Sequence, residues 1–114
     1  MISSMKGLAL RHAKTGGTAT VEILMDGGPL CVAGVWRWDD NSRAPGLFRV
    51  YHKRSGLTVG PFYASIPLAE RGMRKALSLG VAFWEQPTEW YPRQAWFGEW
   101  LDKHLGAYDA LIDP

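Results

Sequence analysis

Apolar and polar residues alternate in steps of two through the first half of the chain and in helical steps thereafter. Residues 5 to 14 alternate in part, with Leu8 and Leu10 on one face beside His12, until Thr15-Gly16-Gly17 breaks the run. Between Thr18 and Met25, Thr20, Glu22 and Leu24 oppose Val21, Ile23 and Met25, and Asp26-Gly27-Gly28 follows as a hairpin signal. Leu30 to Trp38 reads as a third strand. Trp36 and Trp38 point to one side, and Cys31, Ala33 and Val35 share the other with Arg37. A strand apolar on both faces is expected at the centre of a sheet, its second face covered by a helix carrying Trp96 and Trp100.

Asp39 to Gly46 has loop chemistry, and Leu47–Lys53 and Leu57–Tyr63 form two further strands around a two-residue Ser55-Gly56 turn. That turn predicts Arg54 opposite Leu57, His52 opposite Val59, Val50 opposite Pro61 and Phe48 opposite Tyr63. A helix is predicted from Pro67 to Leu79, with Leu68, Gly72, Met73, Ala76, Leu77 and Leu79 inward, Arg71, Arg74 and Lys75 outward, and Gly80 as its stop. Val81 to Trp84 reads as a short returning strand. Pro92 opens a second helix striped with Trp96, Phe97, Trp100, Leu101, His104 and Leu105 and closed by Gly106. The tail, Ala107 to Pro114, carries Tyr108, Leu111 and Ile112 and is too apolar to be idle. The expected fold is α+β: one domain in which an antiparallel meander of about five strands precedes two helices packed on the sheet.

Charge divides this frame. The net charge of +2 hides +5 between Arg37 and Lys75 and −4 from Ala76 onward. Two surfaces of opposite sign follow. In the Ser55-Gly56 hairpin the outward face shows Leu47, Arg49, Tyr51 and Lys53 beside Thr58, Gly60 and Phe62. Arg37 extends it from the preceding strand, and bases interleaved with aromatic rings suit phosphates and base edges.

The stretch from Leu47 to Phe62, with Ala64-Ser65 and the helix from Pro67 to Leu79, resembles the AP2/integrase-type DNA-binding domain. The likeness covers residues 30–79. It implies a three-stranded antiparallel sheet backed by one helix, its outer face docked in the major groove. By position, Arg37, Arg49, Tyr51 and Lys53 are then the contacting side chains. Two strands before this stretch and a tryptophan-rich helix after it depart from the family's plan.

Four of the six tryptophans, Trp84, Trp90, Trp96 and Trp100, stand in the acidic last third. Large rings stabilise a small core efficiently, which predicts Trp100 and Leu101 buried. Trp90 is expected exposed near the bends at Pro87 and Pro92. An exposed aromatic patch among Glu89, Glu99 and Asp102 has the composition of a protein-binding hot spot.

Catalytic signals are poor. His12, His52 and His104 have no metal-ligand spacing, and a single cysteine, Cys31, supplies neither a disulfide nor a cysteine-based zinc site. Neither Gly16-Gly17 nor Gly27-Gly28 precedes the Lys-Ser/Thr pair of a phosphate loop, and Pro87 separates Glu85 from Glu89. No catalytic residue, metal or cofactor is expected. Met1 to Lys6 lacks the apolar stretch of a signal peptide and no segment is apolar enough to span a bilayer, so a cytoplasmic location without a membrane partner is expected.

The sequence thus points to a small binding or accessory protein that meets nucleic acid through Arg37, Arg49, Tyr51, Lys53 and Arg54. The alternative is a protein–protein module, an inhibitor, adaptor or assembly protein, acting through Trp90, Trp96, Glu99 and Asp102. The opposite charges of the two segments also suit a homodimer. A third reading is a small enzyme or ligand-binding fold, in which an inward His52 is the group to watch.

Overall fold

In the computed structural model, which describes residues 7–12, 16–106 and 110–112, six strands follow one another in a single antiparallel order. They are β1 (Gly7–Arg11), β2 (Thr18–Asp26), β3 (Leu30–Arg37), β4 (Ser42–His52), β5 (Leu57–Tyr63) and β6 (Ala110–Ile112). Two helices, α1 (Ile66–Leu77) and α2 (Ala95–Leu105), lie between β5 and β6, separated by 3-10 turns at Phe83–Glu85 and Thr88–Arg93. The α+β meander with helices on the sheet is therefore the observed architecture. The tail adds a strand, with Thr58 opposite Ile112 and Val59 opposite Ala110. Residues 5, 6, 13 and 14 of the first segment, and Tyr108 of the tail, lie outside the described residues.

Each face of the sheet has its own core. On one, Leu30, Val32, Val50 and Val59 pack against Ala69, Met73 and Ala76 of α1, Phe97 and Leu101 of α2, and the rings of Trp84 and Tyr91. On the other, Cys31, Ala33 and Tyr51 are covered by Leu8, Leu10 and Val21. The cover of β3's second face is thus the β1–β2 hairpin, not the tryptophan helix. Only the latter part of β2 pairs with β3, through Ile23, Met25 and Asp26, so its first part is free to carry β1 across the sheet. Beyond a register shift between Gly34 and Val35, Trp36 and Trp38 join the Cys31 side, opposite to the side expected from simple alternation.

The β4–β5 hairpin corrects the predicted register. Its turn is four residues long, Lys53 to Gly56, closed by the Gly56 amide donating to the His52 carbonyl at 2.8 Å. His52 therefore faces Leu57 and Val50 faces Val59, while Phe48 still faces Tyr63 across a bulge. The two-residue shift preserves which residues share a face, because side chains repeat every two positions. Gly56 has φ +72°, and a Cβ there would run into the Ala9 carbonyl, so β1 passes against a turn that only glycine accommodates. β4 also starts earlier than expected, at Ser42, after a tight turn whose Asn41 has φ +51°.

α1 begins one residue before the expected Pro67 and ends at Leu77, two residues short of the expected Leu79. Ser65 caps it by accepting from the Leu68 amide at 3.3 Å, and a proline occupies its first turn. Its buried face is Ala69, Gly72, Met73 and Ala76, while Leu68, expected inward, is exposed. Val81 to Trp84 forms no strand; Phe83 to Glu85 is a 3-10 turn that drops Trp84 into the core. Pro92 likewise lies within the second 3-10 turn, so α2 starts at Ala95 and ends at Gly106 in a left-handed cap. Among the described residues no helix is long and apolar enough to cross a membrane.

Candidate interaction surfaces

The five residues expected on a basic sheet face do not form one. Tyr51 is fully buried under the β1–β2 hairpin, and its hydroxyl donates to the Gly34 carbonyl at 3.1 Å. Burial pushes its pKa up to about 12. It offers no ring surface to a base. Lys53 grips both carboxylate oxygens of Asp26 at 2.9 and 3.1 Å. Arg54 lies at the turn and donates to the Glu85 and Gln86 carbonyls at 2.9 and 2.6 Å, pinning the segment after α1. Arg37, at the far end of β3, bonds the Ser42 hydroxyl and stands 3.6 Å from the Asp40 carboxylate.

What survives of that face is local. The Arg49 guanidinium lies 4.4 Å from the centre of the Phe62 ring, and its Nε donates to the Gly60 carbonyl at 3.1 Å. Burial lowers the Arg49 pKa from its ordinary value. Phe62 is 55% exposed, and Leu47, two residues before Arg49 on β4, is also exposed. Alternation within β4 puts Arg49 and Tyr51 on one side, but the register shift after Gly34 takes Arg37 off that side, and nothing local signals that β1 folds back over Tyr51.

The tryptophan-rich third assembles a cluster around Phe83. Its ring lies 4.9 to 5.6 Å from the rings of Trp84, Trp90, Tyr91, Trp96 and Phe97. The inner members are fixed by hydrogen bonds: Trp84 Nε1 donates to the Ala76 carbonyl and the Tyr91 hydroxyl to the Phe83 carbonyl, both at 2.8 Å. Trp84 and Tyr91 stack, centres 5.6 Å apart at 26°. Trp90 and Trp96 each touch the half-buried ring of Phe83, and of this Trp90–Phe83–Trp96 ridge Trp96 is exposed, at 46%. Trp90 is half-buried against Phe83 and Tyr91, less open than expected. Trp100 is also half-buried, its ring 4.8 Å from His104, whereas Leu101 is buried as predicted. Glu89, Glu99 and Asp102 are all exposed. A strand over Val81 to Trp84 gives Phe83 no ring partners, whereas the 3-10 turn at Phe83–Glu85 makes it the centre of the cluster.

His52 sits between the two regions. It is buried, with Nε2 2.7 Å from the Trp84 carbonyl and Nδ1 2.8 Å from the Ser55 hydroxyl. A carbonyl only accepts, so Nε2 carries the proton and Nδ1 accepts from Ser55. The Ser55 oxygen in turn accepts from the Leu57 amide at 3.2 Å. Burial lowers the His52 pKa, against the Trp84 hydrogen bond, and so favours the neutral imidazole. Both nitrogens serve to hold loops together. Burial also pushes the Cys31 thiol up to about 12, in keeping with a packed, unreactive sulfur. Among the described residues no three His, Cys, Asp or Glu side chains gather as metal ligands would.

Comparison with known proteins finds no matching family model, no similar curated protein and no similar solved structure.

Proposed function

We propose that this chain is a protein-docking module whose working surface is the Trp90–Phe83–Trp96 ridge. The observation that carries the reading is Trp96, 46% exposed yet seated on Phe83 and Phe97. A tryptophan held on a rigid, hydrogen-bonded second layer loses little freedom when a partner covers it. Glu89 adjoins Trp90 in sequence, and Glu99 lies one helical turn from Trp96, with Asp102 a turn further. The partner that fits is a protein segment combining apolar anchors with lysine or arginine, steered by the acidic surroundings.

The test is selection from a random peptide library on the immobilised chain, with Trp96→Ala as counter-target. Enrichment of basic peptides with aromatic or aliphatic anchors, retained by the parent and not by the variant, supports the reading. Peptides that bind both equally overturn it. The exposed Phe62 ring with the half-buried Arg49 guanidinium beside it favours a second reading, contact with nucleic acid at that corner of the sheet. Mixed duplex and single strands at ~50 and ~200 mM salt, a range over which phosphate contacts weaken steeply, distinguish it. Light scattering over a concentration series shows whether the ridge instead meets a second copy of the chain.

A further inference from the structure

Positive charge from the middle of the chain stays open on α1, away from the sheet face. A hollow of about 230 Å³ lies where α1 meets the end of α2. Tyr63 of β5, Arg71, Gly72 and Lys75 of α1, and His104 and Leu105 of α2 line it. We infer that this hollow binds the phosphate group of a small molecule. It is smaller than the sites of about 300–1,000 Å³ that enclose a whole drug-sized ligand, and it suits a single head group. The aromatic ridge is separate from it, because Trp96 stands at the start of α2 and Leu105 at its end.

Charge selects the ligand. Arg71 and Lys75 line the hollow and, among the described residues, no carboxylate does. Glu70, the acid of α1, falls on the opposite side of that helix and accepts from Arg74 at 2.8 Å. Glu99 and Asp102 of α2 are not among the lining residues. The C-terminal end of α2 brings about half a negative charge, which leaves most of the two positive charges uncompensated. Lys75 Nζ meets the His104 carbonyl at 3.4 Å with one hydrogen and keeps its others. Arg71 has no hydrogen bond or ion pair among the described residues, so its whole guanidinium fork is open. Lys53 and Arg54 differ in this respect, their donors being taken by Asp26 and by the Glu85 and Gln86 carbonyls. A third donor is built in. Gly72 stands within α1, where glycine is unfavourable, and a Cβ there would run into the Tyr63 hydroxyl. The absent side chain makes room for that hydroxyl at the wall of the hollow, where it has no hydrogen-bond partner among the described residues. Burial raises its pKa, so it stays protonated and able to donate. Guanidinium, ammonium and hydroxyl together supply donors to three phosphate oxygens, one more than a carboxylate has. Leu68, a further lining residue that is 45% exposed, offers an apolar ledge to the rest of a phosphate monoester.

The experiment is an amide NMR titration of the full chain with phenyl phosphate, inorganic phosphate and phenyl sulfate. Ionic strength is held fixed at about pH 8, above the second phosphate pKa of about 6, so that phenyl phosphate is a dianion and the sulfate a monoanion of the same shape. Phenyl phosphate is expected to shift the amides of Tyr63, Arg71, Gly72, Lys75 and Leu105 saturably. It should bind about tenfold more tightly than phenyl sulfate. Arg71→Gln and Tyr63→Phe should each weaken it about tenfold, the scale of one hydrogen bond to a charged group. Arg74→Gln, which removes the same charge from the same helix outside the hollow, should leave the affinity unchanged, as should Trp96→Ala. Tighter binding of phenyl phosphate than of inorganic phosphate assigns the site to monoesters and equal binding to free phosphate; either result supports the inference. Absence of saturable shifts at these amides overturns it, as do a sulfate that binds equally well and equal losses in Arg71→Gln and Arg74→Gln. If Tyr63→Phe does not fold, the exposed position of Arg71 keeps the comparison with Arg74→Gln decisive.

Discussion

Trp84 and Trp96 lie within one aromatic cluster, yet their removal should have very different consequences. Trp84 is 1% exposed, so Trp84→Ala withdraws essentially the whole side chain from the core. An aromatic side chain of this size buries roughly 200 Å², which at about 25 cal/mol per Å² corresponds to roughly 5 kcal/mol. Residual burial in the unfolded chain trims that to roughly 3–4 kcal/mol. Loss of the Nε1 hydrogen bond to the Ala76 carbonyl adds about 1 kcal/mol. The total, roughly 4–5 kcal/mol, approaches the full stability of many small domains. Trp96 has nearly half its surface in water already, so the same arithmetic gives about 2 kcal/mol. Alanine's better helix propensity returns about 0.5 kcal/mol of this, because Trp96 stands in the first turn of α2. Urea denaturation followed by far-ultraviolet circular dichroism measures both without depending on tryptophan emission. Trp84→Ala should fold marginally or not at all, and Trp96→Ala should lose about 1–2 kcal/mol. Trp84→Phe, which keeps a ring and drops the donor, should lose about 1–2 kcal/mol and remain measurable. Equal losses for Trp84→Ala and Trp96→Ala, or a larger loss at Trp96, would mean that the inner and outer layers of the cluster have been misassigned.

Stability should also depend on pH through His52. Its folded pKa is lowered below the ordinary 6.5, so in mild acid the unfolded chain binds a proton that the folded chain does not. The His52 contribution is complete well above 6.5 and diminishes as pH falls through 6.5 towards the folded value; denaturation midpoints at pH 7.5, 6.5 and 5.5 should decrease in that order, less steeply in a His52→Gln variant. Tyr51→Phe removes the buried bond to the Gly34 carbonyl and should cost about 1 kcal/mol while leaving any nucleic-acid affinity unchanged, because the ring is covered. A loss of nucleic-acid binding in that variant would show that the β1–β2 hairpin opens. Cys31 should resist a thiol reagent such as dithionitrobenzoate in the native state at pH 8 and react on unfolding; prompt native-state modification would contradict its burial.

Much of the architecture is legible locally because strand alternation, turn residues and helix caps are short-range signals. The Gly106 stop and the inward Val50 and Val59 follow from neighbouring residues alone. The β4–β5 register escapes such a reading because Ser55-Gly56 resembles a two-residue turn, while the closing bond runs from Gly56 to His52. The fate of Tyr51 depends on a hairpin some thirty residues earlier, and alternation marks which side a residue faces without revealing what covers it. The same limit applies to the bases. Lys53 meets Asp26 and Arg54 meets Glu85 and Gln86 through tertiary contacts that a linear charge count cannot anticipate. Conversely, the excess of tryptophan in the last third does indicate where the aromatic cluster lies, although not that Phe83 is its centre.

The docking surface is best tested by the affinity of a peptide selected on the parent chain. Fluorescence anisotropy should be recorded with the parent, with Trp96→Ala, with the charge reversals Glu99→Lys and Asp102→Lys, and with Arg49→Gln. Trp96→Ala should weaken binding at least about tenfold, as expected for a hot-spot tryptophan, while remaining folded. The charge reversals should weaken binding more at ~50 than at ~200 mM salt, since screening removes the steering they disturb, and Arg49→Gln should have no effect. Undiminished affinity in a folded Trp96→Ala, or a loss confined to Arg49→Gln, would contradict the assignment of the Trp90–Phe83–Trp96 ridge as the working surface.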